Sequence, residues 1–453
     1  MADMSPPLLR MPVEVLLHIS SHLTTLDYGS LRRTCKHVEN FLFRAFAKEF
    51  FSKRQFCLTD FSLQALLDIS ESRLAPSLTH VIIHLERPAA RGRLHGNPPS
   101  DPSKWERFAH EYYTHKALVD TGRDVELLKK AFSGLPNLET IGIRDFNSNK
   151  RTRDDTFWNS YGSQTFIDLT GRRLEKPHSE SHDGEETAYT CHVFLTILRA
   201  LGSIEACDSR PSRIEVIMRG APFSERALYM PPYLDPITSR ALANLQTLFL
   251  DRLQRPHLEH STFPQLCILP RFFLKAQGLQ HLRLNFLKED RLYAEAVLGW
   301  LSQDNGSLGS TFPNLQHLDL GMIAVGLNTL LGVYKRYKKT LRSISLHKVT
   351  LPVTFRDDER FNTWSDLLSQ MATLNLELSK MSIGWIKVGD HAVSFNGGPF
   401  KEWSGRGMEY AAKDFMTAMS VDWPPERPAI SVSESSSSIM EDEDESGSDD
   451  DVA

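Results

Sequence analysis

Residues 110–115 read HEYYTH, which is close to the HExxH pattern in which two histidines on one helical face bind zinc. In that pattern the histidines are four residues apart. Here His110 and His115 are five apart, so a helix would separate their side chains by about 140° around its axis. We therefore interpret the segment as part of an aromatic-rich surface helix.

Other residues of metal-binding type are His178, His182, Cys191 and His192, in or beside a polar segment. Their spacing matches no closed zinc pattern. The sequence has no GxxxxGK phosphate loop, no GxGxxG after a strand and no GxSxG elbow. It therefore predicts no metal, no cofactor and no catalytic centre.

One basic segment, KRYKK at residues 335–339, is flanked and interrupted by Tyr334 and Tyr337. Basic residues interleaved with aromatics are one signature of nucleic-acid binding, and they also suit an acidic partner. Such a run is more typical of the solvated face of a helix. We therefore expect no nucleic-acid partner.

The totals are those of an ordinary soluble protein: 453 residues, 41% hydrophobic and 24% charged. That length allows two or three domains. No apolar run approaches the ~18 residues of a membrane span, so no membrane partner is expected. The five cysteines are scattered and form no CxxC pair, which predicts reduced thiols and a cytoplasmic or nuclear location.

Charge is divided unevenly along the chain. Nine carboxylates and no Lys or Arg follow Ser431, so leaving them out changes the formal net charge from -5 to +4. The sequence therefore predicts a mildly basic body and an acidic tail. Too few apolar residues lie in the tail, residues 424–453, for it to fold, so we expect it to be disordered.

The N-terminal residues 8–55 are predicted to form a helical module after a flexible start at 1–7. Val15, Ile19 and Leu23 recur at helical spacing, and Val13, Leu16 and Leu17 make a neighbouring face apolar too. Three short helices with apolar residues on more than one side need burial on more than one side.

Residues 56–393 contain a weak repeat, an apolar triplet at positions i, i+3 and i+5. Its copies begin at Leu78, Leu138, Leu245, Leu279, Leu315 and Leu341, with a degenerate copy at Leu378 and a possible one around Ile214. The four best copies are spaced by 34, 36 and 26 residues, and helix-like segments lie between them. One such strand cannot bury its apolar face alone, so copies must stack.

This pattern predicts an α/β fold, an irregular leucine-rich-repeat-like solenoid. The alternative is a set of unrelated βα units in an open sheet. Segments near 87–107 and 171–188 are rich in Pro, Gly or polar residues and are predicted to be mobile loops. Residues 394–423, with an amphipathic stretch, are predicted to cap the last repeat, since solenoids need capped ends.

The N-terminal stretch contains Leu8, Met11-Pro12-x-Glu14 and Thr34-Cys35-Lys36. By these residues it resembles the F-box, a family that has Leu-Pro-x-Glu at the position of Met11-Pro12-x-Glu14. Tyr28 stands where a Leu is usual, and the aromatic expected after Cys-Lys is displaced to Phe41. The remainder resembles fungal F-box proteins with irregular leucine-rich repeats, which often end in a Gly/Trp-rich segment like that around Trp403.

The resemblance implies binding to the Skp adaptor and, through it, to a cullin in a Skp–cullin–F-box ubiquitin ligase. The exposed apolar surface would then be half of a core that the adaptor completes. The residues assigned to this contact, or to the inner helical core beneath it, are Leu8, Met11, Pro12, Val13, Leu16, Ile19, Leu23 and Leu31.

Two functions remain open at this point. The first is a non-catalytic substrate receptor that holds an unknown protein target near the ubiquitin carrier. The second is a repeat scaffold or binding protein whose helical front folds by itself and which works without a ligase. Candidate target-binding residues occupy the expected concave strand positions: Gln280, His281, Arg283, Gln316, His317, Asp319, Arg342, Ser343 and Ser345.

Overall fold

A computed structural model describes residues 7–89, 101–150, 153–177, 184–205, 210–255, 268–287, 291–303, 311–356 and 359–423. The helices are α1 Val13–Ser21, α2 Thr25–Arg32, α3 Lys36–Phe51, α4 Asp60–Ser70, α5 Pro102–Thr121, α6 Arg123–Ser133, α7 Ser163–Thr170, α8 Gly184–Gly202, α9 Asp235–Leu242, α10 Leu269–Phe273, α11 Arg291–Ser302, α12 Leu327–Tyr337, α13 Thr363–Thr373 and α14 Met408–Ala418. The whole of the predicted acidic tail, residues 424–453, lies outside these ranges.

The strands are β1 Lys53–Cys57, β2 His80–His84, β3 Thr140–Arg144, β4 Ser148–Lys150, β5 Phe157–Trp158, β6 Arg213–Ile217, β7 Phe223–Ser224, β8 Thr247–Gln254, β9 His281–Phe286, β10 His317–Ala324, β11 Ser343–Leu351, β12 Thr354–Arg356, β13 Glu359–Phe361, β14 Lys380–Gly384, β15 Lys387–Val388, β16 His391–Phe395, β17 Phe400–Ser404 and β18 Met419–Val421. Fourteen of them form one sheet. The protein is therefore a mixed α/β structure with three helices in front of a large sheet.

The sheet runs in chain order from β1 to β11, and each of its main strands pairs in parallel with the next. Parallel neighbours need a crossover between them, and helices supply it. The predicted triplets lie on these strands in matching register. Ile141 is opposite Ile214, Leu282 is opposite Leu318, and Ile344 is opposite Met381. The possible copy around Ile214 is thus a strand of the same sheet.

The second and third residues of the triplets point to one face and form the main core with the helices. Leu318 and Ile344 on the strands, and Leu330 and Leu367 on α12 and α13, are completely buried. Alternation along each strand sends the other side chains to the opposite face, which we call the open face. On β9, β10 and β11 several open-face side chains remain partly accessible.

At the β1 end of the sheet, chain segments between the main strands add their own structure. Helices α5 and α7 pack around Cys57, where Phe108, Phe166 and Leu174 are buried. The strands β4 and β5 pair in an antiparallel hairpin. Helix α5 begins at Pro102 and α8 at Gly184, so each predicted loop ends in a helix. Residues 90–100 and 178–183 of those loops lie outside the described residues.

At the other end, antiparallel strands close the sheet. β17 pairs with β14, β16 pairs with β15, and β18 pairs with β16. Helix α14 buries Ala411 and Phe415 in the main core. These elements cover a strand edge that would otherwise present unpaired backbone groups.

The HEYYTH segment lies in helix α5, as the sequence predicted. Nδ1 of the buried His115 lies 2.7 Å from the backbone oxygen of Leu58. Burial lowers the pKa of His115 to about 4. Over the described ranges, no three His, Cys, Asp or Glu side chains are grouped so that they could hold a metal ion. In the same ranges no helix combines the length and the apolarity that a membrane crossing requires.

Candidate adaptor and target surfaces

The three N-terminal helices have a small core of their own. It consists of Leu16, Tyr28, Val38, Leu42 and Phe50, all buried. The side chain of Thr24 caps α2 by accepting a hydrogen bond from the backbone N–H of Asp27. The hydroxyl of Tyr28 donates a hydrogen bond to the backbone oxygen of Leu42 at 3.4 Å. Burial raises the pKa of the Tyr28 hydroxyl. Half-buried side chains, among them Leu23, Leu31 and Phe46, pack against these five residues and complete the inner core.

The residues assigned to the adaptor contact divide into three groups by burial. Leu8, Met11, Leu23 and Leu31 are half-buried against the inner core. Leu16 is 0% exposed, so it supports the surface from within and any contribution to binding is indirect. Pro12 and Ile19 stay accessible, Ile19 at 36%, and Val13 is half-buried.

Further apolar side chains of the module face solvent although the predicted contact did not include them. Val15 is 44% exposed, Leu26 82% and Phe41 38%. Val15 and Ile19 are four residues apart on α1, so they share one side of that helix. We call Val15, Ile19, Leu26 and Phe41 the exposed apolar set. The helical spacing of Val15 and Ile19 was visible in the sequence, whereas nothing in it separated the outward from the inward residues.

A second part of the module is held to the rest of the protein by Arg153, which follows β4. Its guanidinium donates two hydrogen bonds to the carboxylate of Glu49 on α3, at 2.8 and 2.7 Å. It also donates to the backbone oxygens of Ser20 and Leu23, the latter at 2.7 Å, and lies 4.6 Å from the centroid of the Tyr28 ring. A cation at the carbonyl end of α1 is favourable for the helix dipole.

The turn that carries Arg153 is itself ordered by local contacts. Asp154 accepts a hydrogen bond from the backbone N–H of Thr156 at 3.2 Å, and Asp155 adopts a left-handed conformation. The hydroxyl of Thr25 on α2 donates to the carboxylate of Asp154. Trp158 on β5 packs on Phe50 with ring centroids 6.0 Å apart. This hairpin therefore contacts all three helices of the module.

A second arginine, Arg73, joins the module to the segment after α4. It bonds the carboxylate of Glu39 on α3 and lies 4.0 Å from the centroid of the Phe43 ring. Arg32 bonds the same carboxylate at 2.9 Å. Burial alone would raise the pKa of Glu39, but the two arginines hold it below its usual value. We call Arg73 and Arg153 the anchoring arginines.

The predicted target residues fall into two positions on the sheet. His281, Arg283, His317, Asp319, Ser343 and Ser345 lie in register on the open face of β9, β10 and β11. Gln280, Gln316 and Arg342 precede these strands and continue the ladder through their backbone groups. The structure thus brings the first six together on one face and puts the other three at its edge.

Several polar groups on this face are paired with one another. Nε2 of His281 donates to the carboxylate of Asp319 at 2.9 Å. Burial and the charge of His281 lower the pKa of His317, and Asp319 opposes this. The hydroxyl of Ser382 on β14 donates to Ser345 at 2.9 Å. Such a face suits recognition of polar protein surface, and its geometry does not select a particular target.

Comparison with known proteins gives one positive finding. A model of the F-box domain matches residues 8–42, the part of the chain that contains α1, α2 and the start of α3. No curated protein matches the chain. The match supports an F-box protein, and such a domain indicates a Skp-binding role in a Skp–cullin–F-box ubiquitin ligase.

Proposed function

With an F-box domain at residues 8–42 as the premise, we propose that this chain is the non-catalytic substrate receptor of a Skp–cullin–F-box ubiquitin ligase. It binds the Skp adaptor, and through it a cullin, by its N-terminal helices. It holds a protein target on the sheet. Its contribution is positional, because it raises the local concentration of target lysines near the ubiquitin carrier.

One observation carries this proposal: the exposed apolar set stays open while another part of the same module is already occupied. If the module were only a cap for the sheet, the sheet should cover its apolar residues. Instead the contacts to the later chain are made mainly by arginines and by aromatic residues such as Trp158, and Leu26 remains 82% exposed. These apolar side chains of the matched domain are therefore available to a partner.

The proposal includes an irregular leucine-rich-repeat-like architecture for residues 56–393, of the fungal type. Strand order along the chain supports it, since an open doubly wound sheet would reverse its order at a switch point. The buried triplets in matching register support it too. A cytoplasmic or nuclear location, the absence of a nucleic-acid partner and the absence of catalysis remain predictions.

The alternative function is a scaffold that never meets a ligase. The scaffold would be favoured if the accessible apolar residues of the module contacted no adaptor. The two functions make opposite predictions for co-purification of the intact chain with the Skp adaptor and a cullin. Substitution of Leu16 would be a poor test, because replacing a fully buried core residue would disrupt the fold as well as the contact.

The test therefore uses Val15→Asp with Ile19→Asp in the full-length chain. Both side chains are accessible, so two carboxylates can be hydrated in the free protein but not inside an apolar contact. We expect the wild-type chain to co-purify with the adaptor and cullin and the double variant to lose both. The matched control is Leu292→Asp, an 81% exposed apolar residue at the start of α11, which should leave co-purification unchanged.

Failure of the wild-type chain to co-purify would contradict the receptor function and favour the scaffold. Equal loss in the Leu292→Asp control would show that added charge, rather than the N-terminal contact, explains the effect. Circular dichroism of the free proteins checks that both variants remain folded.

A further inference from the structure

A cluster of arginines and aromatic rings lies across β3, β6, β8 and β9 and the turns that follow β3 and β6. We call it the arginine cluster, and its members are Arg144, Phe146, Arg213, Arg219, Phe249 and Arg283. Arg219 lies 3.9 Å and Arg144 5.5 Å from the centroid of the Phe146 ring. Arg213 lies 4.5 Å and Arg283 5.5 Å from that of Phe249. Arginines held on ring faces are oriented before a ligand arrives.

The centre of the cluster has an unused hydrogen-bond donor. Arg144 is only 9% exposed, and its Nε has no hydrogen-bond partner among the described residues. Its nearest ion-pair contact is to Glu215 at 3.7 Å, while Arg213 holds the same carboxylate at 2.7 Å. A buried donor without an acceptor is costly, so an incoming anion that approached it would be favoured.

Two further carboxylates beside the cluster also have hydrogen-bond partners outside it. Asp145 accepts hydrogen bonds from the backbone N–H groups of residues 219, 220 and 221 at 2.7–2.8 Å. Asp251 accepts one from Asn285 at 2.8 Å and lies 3.4 Å from Arg283. With Glu215, these make three carboxylates against four guanidinium groups, so the cluster keeps an excess of positive charge.

The chain itself contains an anionic segment of the right kind. Its last 23 residues, 431–453, hold nine carboxylates and no Lys or Arg. The described part of the chain ends before them, at Trp423. The ring centroid of Trp423 lies 5.0 Å from that of His391, the first residue of β16. From β16 to β6 there are six strand-to-strand steps, or about 30 Å at ~4.8 Å each. Thirty further residues can extend up to ~100 Å, so the segment can reach.

We propose that residues 431–453 bind to the arginine cluster of the same molecule. The segment then lies beside Arg283 and His281, on the face proposed for the target. This consequence, that a target must displace the segment, rests on the proposed function. The contact itself does not, and it can be measured without adaptor or target.

The experiment uses three full-length proteins and one probe. The probe is a fluorescein-labelled synthetic peptide of residues 431–453, and its binding is followed by fluorescence anisotropy at low salt. The proteins are the wild type, a tail-neutralised chain with its nine acidic residues changed to Asn or Gln, and the tail-neutralised chain with Arg213→Gln and Arg219→Gln. A matched control carries Lys338→Gln and Lys339→Gln just after α12 instead.

We expect the peptide to bind the tail-neutralised chain, and to bind the wild type at least about fivefold more weakly because the native segment competes. Removing the two arginines should weaken binding about tenfold, whereas removing the two lysines should leave it nearly unchanged. Binding should fall as salt is raised.

Three results would overturn the proposal. The first is no binding to the tail-neutralised chain. The second is equal weakening by the arginine and lysine substitutions, which would indicate non-specific attraction. The third is equal binding to the wild type and the tail-neutralised chain, which would mean that the cluster accepts acidic peptides only from another molecule. Loss of adaptor co-purification would leave all three readings unaffected, so the two proposals fail separately.

Discussion

The N-terminal module presents two kinds of surface. On one, the anchoring arginines bond carboxylates and backbone oxygens, and Trp158 packs on Phe50. On the other, the side chains of the exposed apolar set remain accessible to solvent in the described part of the chain. The difference teaches that contacts within the chain fix where the module sits, while the surface proposed for the adaptor is left apolar. Hydrogen bonds of fixed geometry orient the module, and burial of apolar surface provides affinity for a partner.

The largest expected effect separates the inner core from the exposed apolar set. Leu16→Ala should lower the free energy of local unfolding of α1 by about 2–4 kcal/mol, because it empties a fully buried site. Ile19→Ala, at 36% exposure, should lower it by less than about 1 kcal/mol. Hydrogen exchange of the α1 amides in the full chain measures both. Similar losses of unfolding free energy for the two variants would contradict the assignment of Leu16 to the inner core and Ile19 to the exposed apolar set.

The next effect concerns the anchoring. Arg153→Met leaves Glu49 and two backbone oxygens without their donor, and it should destabilise the module by about 1–3 kcal/mol. The control is Arg123→Met, which removes an exposed pair with Glu126 at 3.2 Å and should cost less than about 1 kcal/mol. Arg153→Lys should recover only part of the loss. Hydrogen exchange of α3 provides the measurement, and no difference from the control would refute the anchor.

A smaller effect is expected on affinity alone. Leu26→Ala should weaken adaptor binding by about 1–2 kcal/mol, roughly tenfold, if its exposed side chain enters the contact. Stability of the free chain should not change. Titration calorimetry with purified Skp adaptor measures this, and Tyr233→Ala, a 79% exposed residue near α9, is the control. An unchanged affinity for Leu26→Ala would remove that residue from the proposed surface.

The smallest effect is a pH dependence at Glu39. Arginine hydrogen bonds lower its pKa in the folded protein, so its contribution to stability is present above the usual carboxyl pKa and is lost as the pH falls through the lowered value. Arg73→Ala should therefore destabilise α3 slightly at pH 7. The difference from wild type should shrink below about pH 4.5. Hydrogen exchange at several pH values checks the sign, and a difference that grows in acid would contradict the assignment.

Local spacing predicted much of the fold. The triplets around Leu282, Leu318 and Ile344 placed β9, β10 and β11, because alternation along a strand is written directly in neighbouring residues. The strand β1 was missed, since Lys53–Cys57 carries no triplet and begins before the predicted boundary at residue 55.

The candidate sites were less predictable. The F-box resemblance located the three helices, and the family match at 8–42 supports it. It could not show that Leu16 turns inward while Val15 turns outward, because α1 is apolar on more than one side. The contact of Arg153 with Glu49 joins residues that are 104 positions apart in the sequence, and local hydrophobic periodicity cannot predict a contact at that separation. The stacking in the arginine cluster arises in the same way, from strands brought together by the sheet.

The central claim is that the exposed apolar set touches the Skp adaptor while the rest of the module is held by its own chain. Site-specific photo-crosslinking tests it most directly, with a photoreactive side chain at Leu26 or, as the comparison, at Leu292 on α11. The account predicts a crosslink to the adaptor from position 26 and none from position 292. A crosslink from 292 alone, or none from 26 in a sample that binds adaptor, would contradict it.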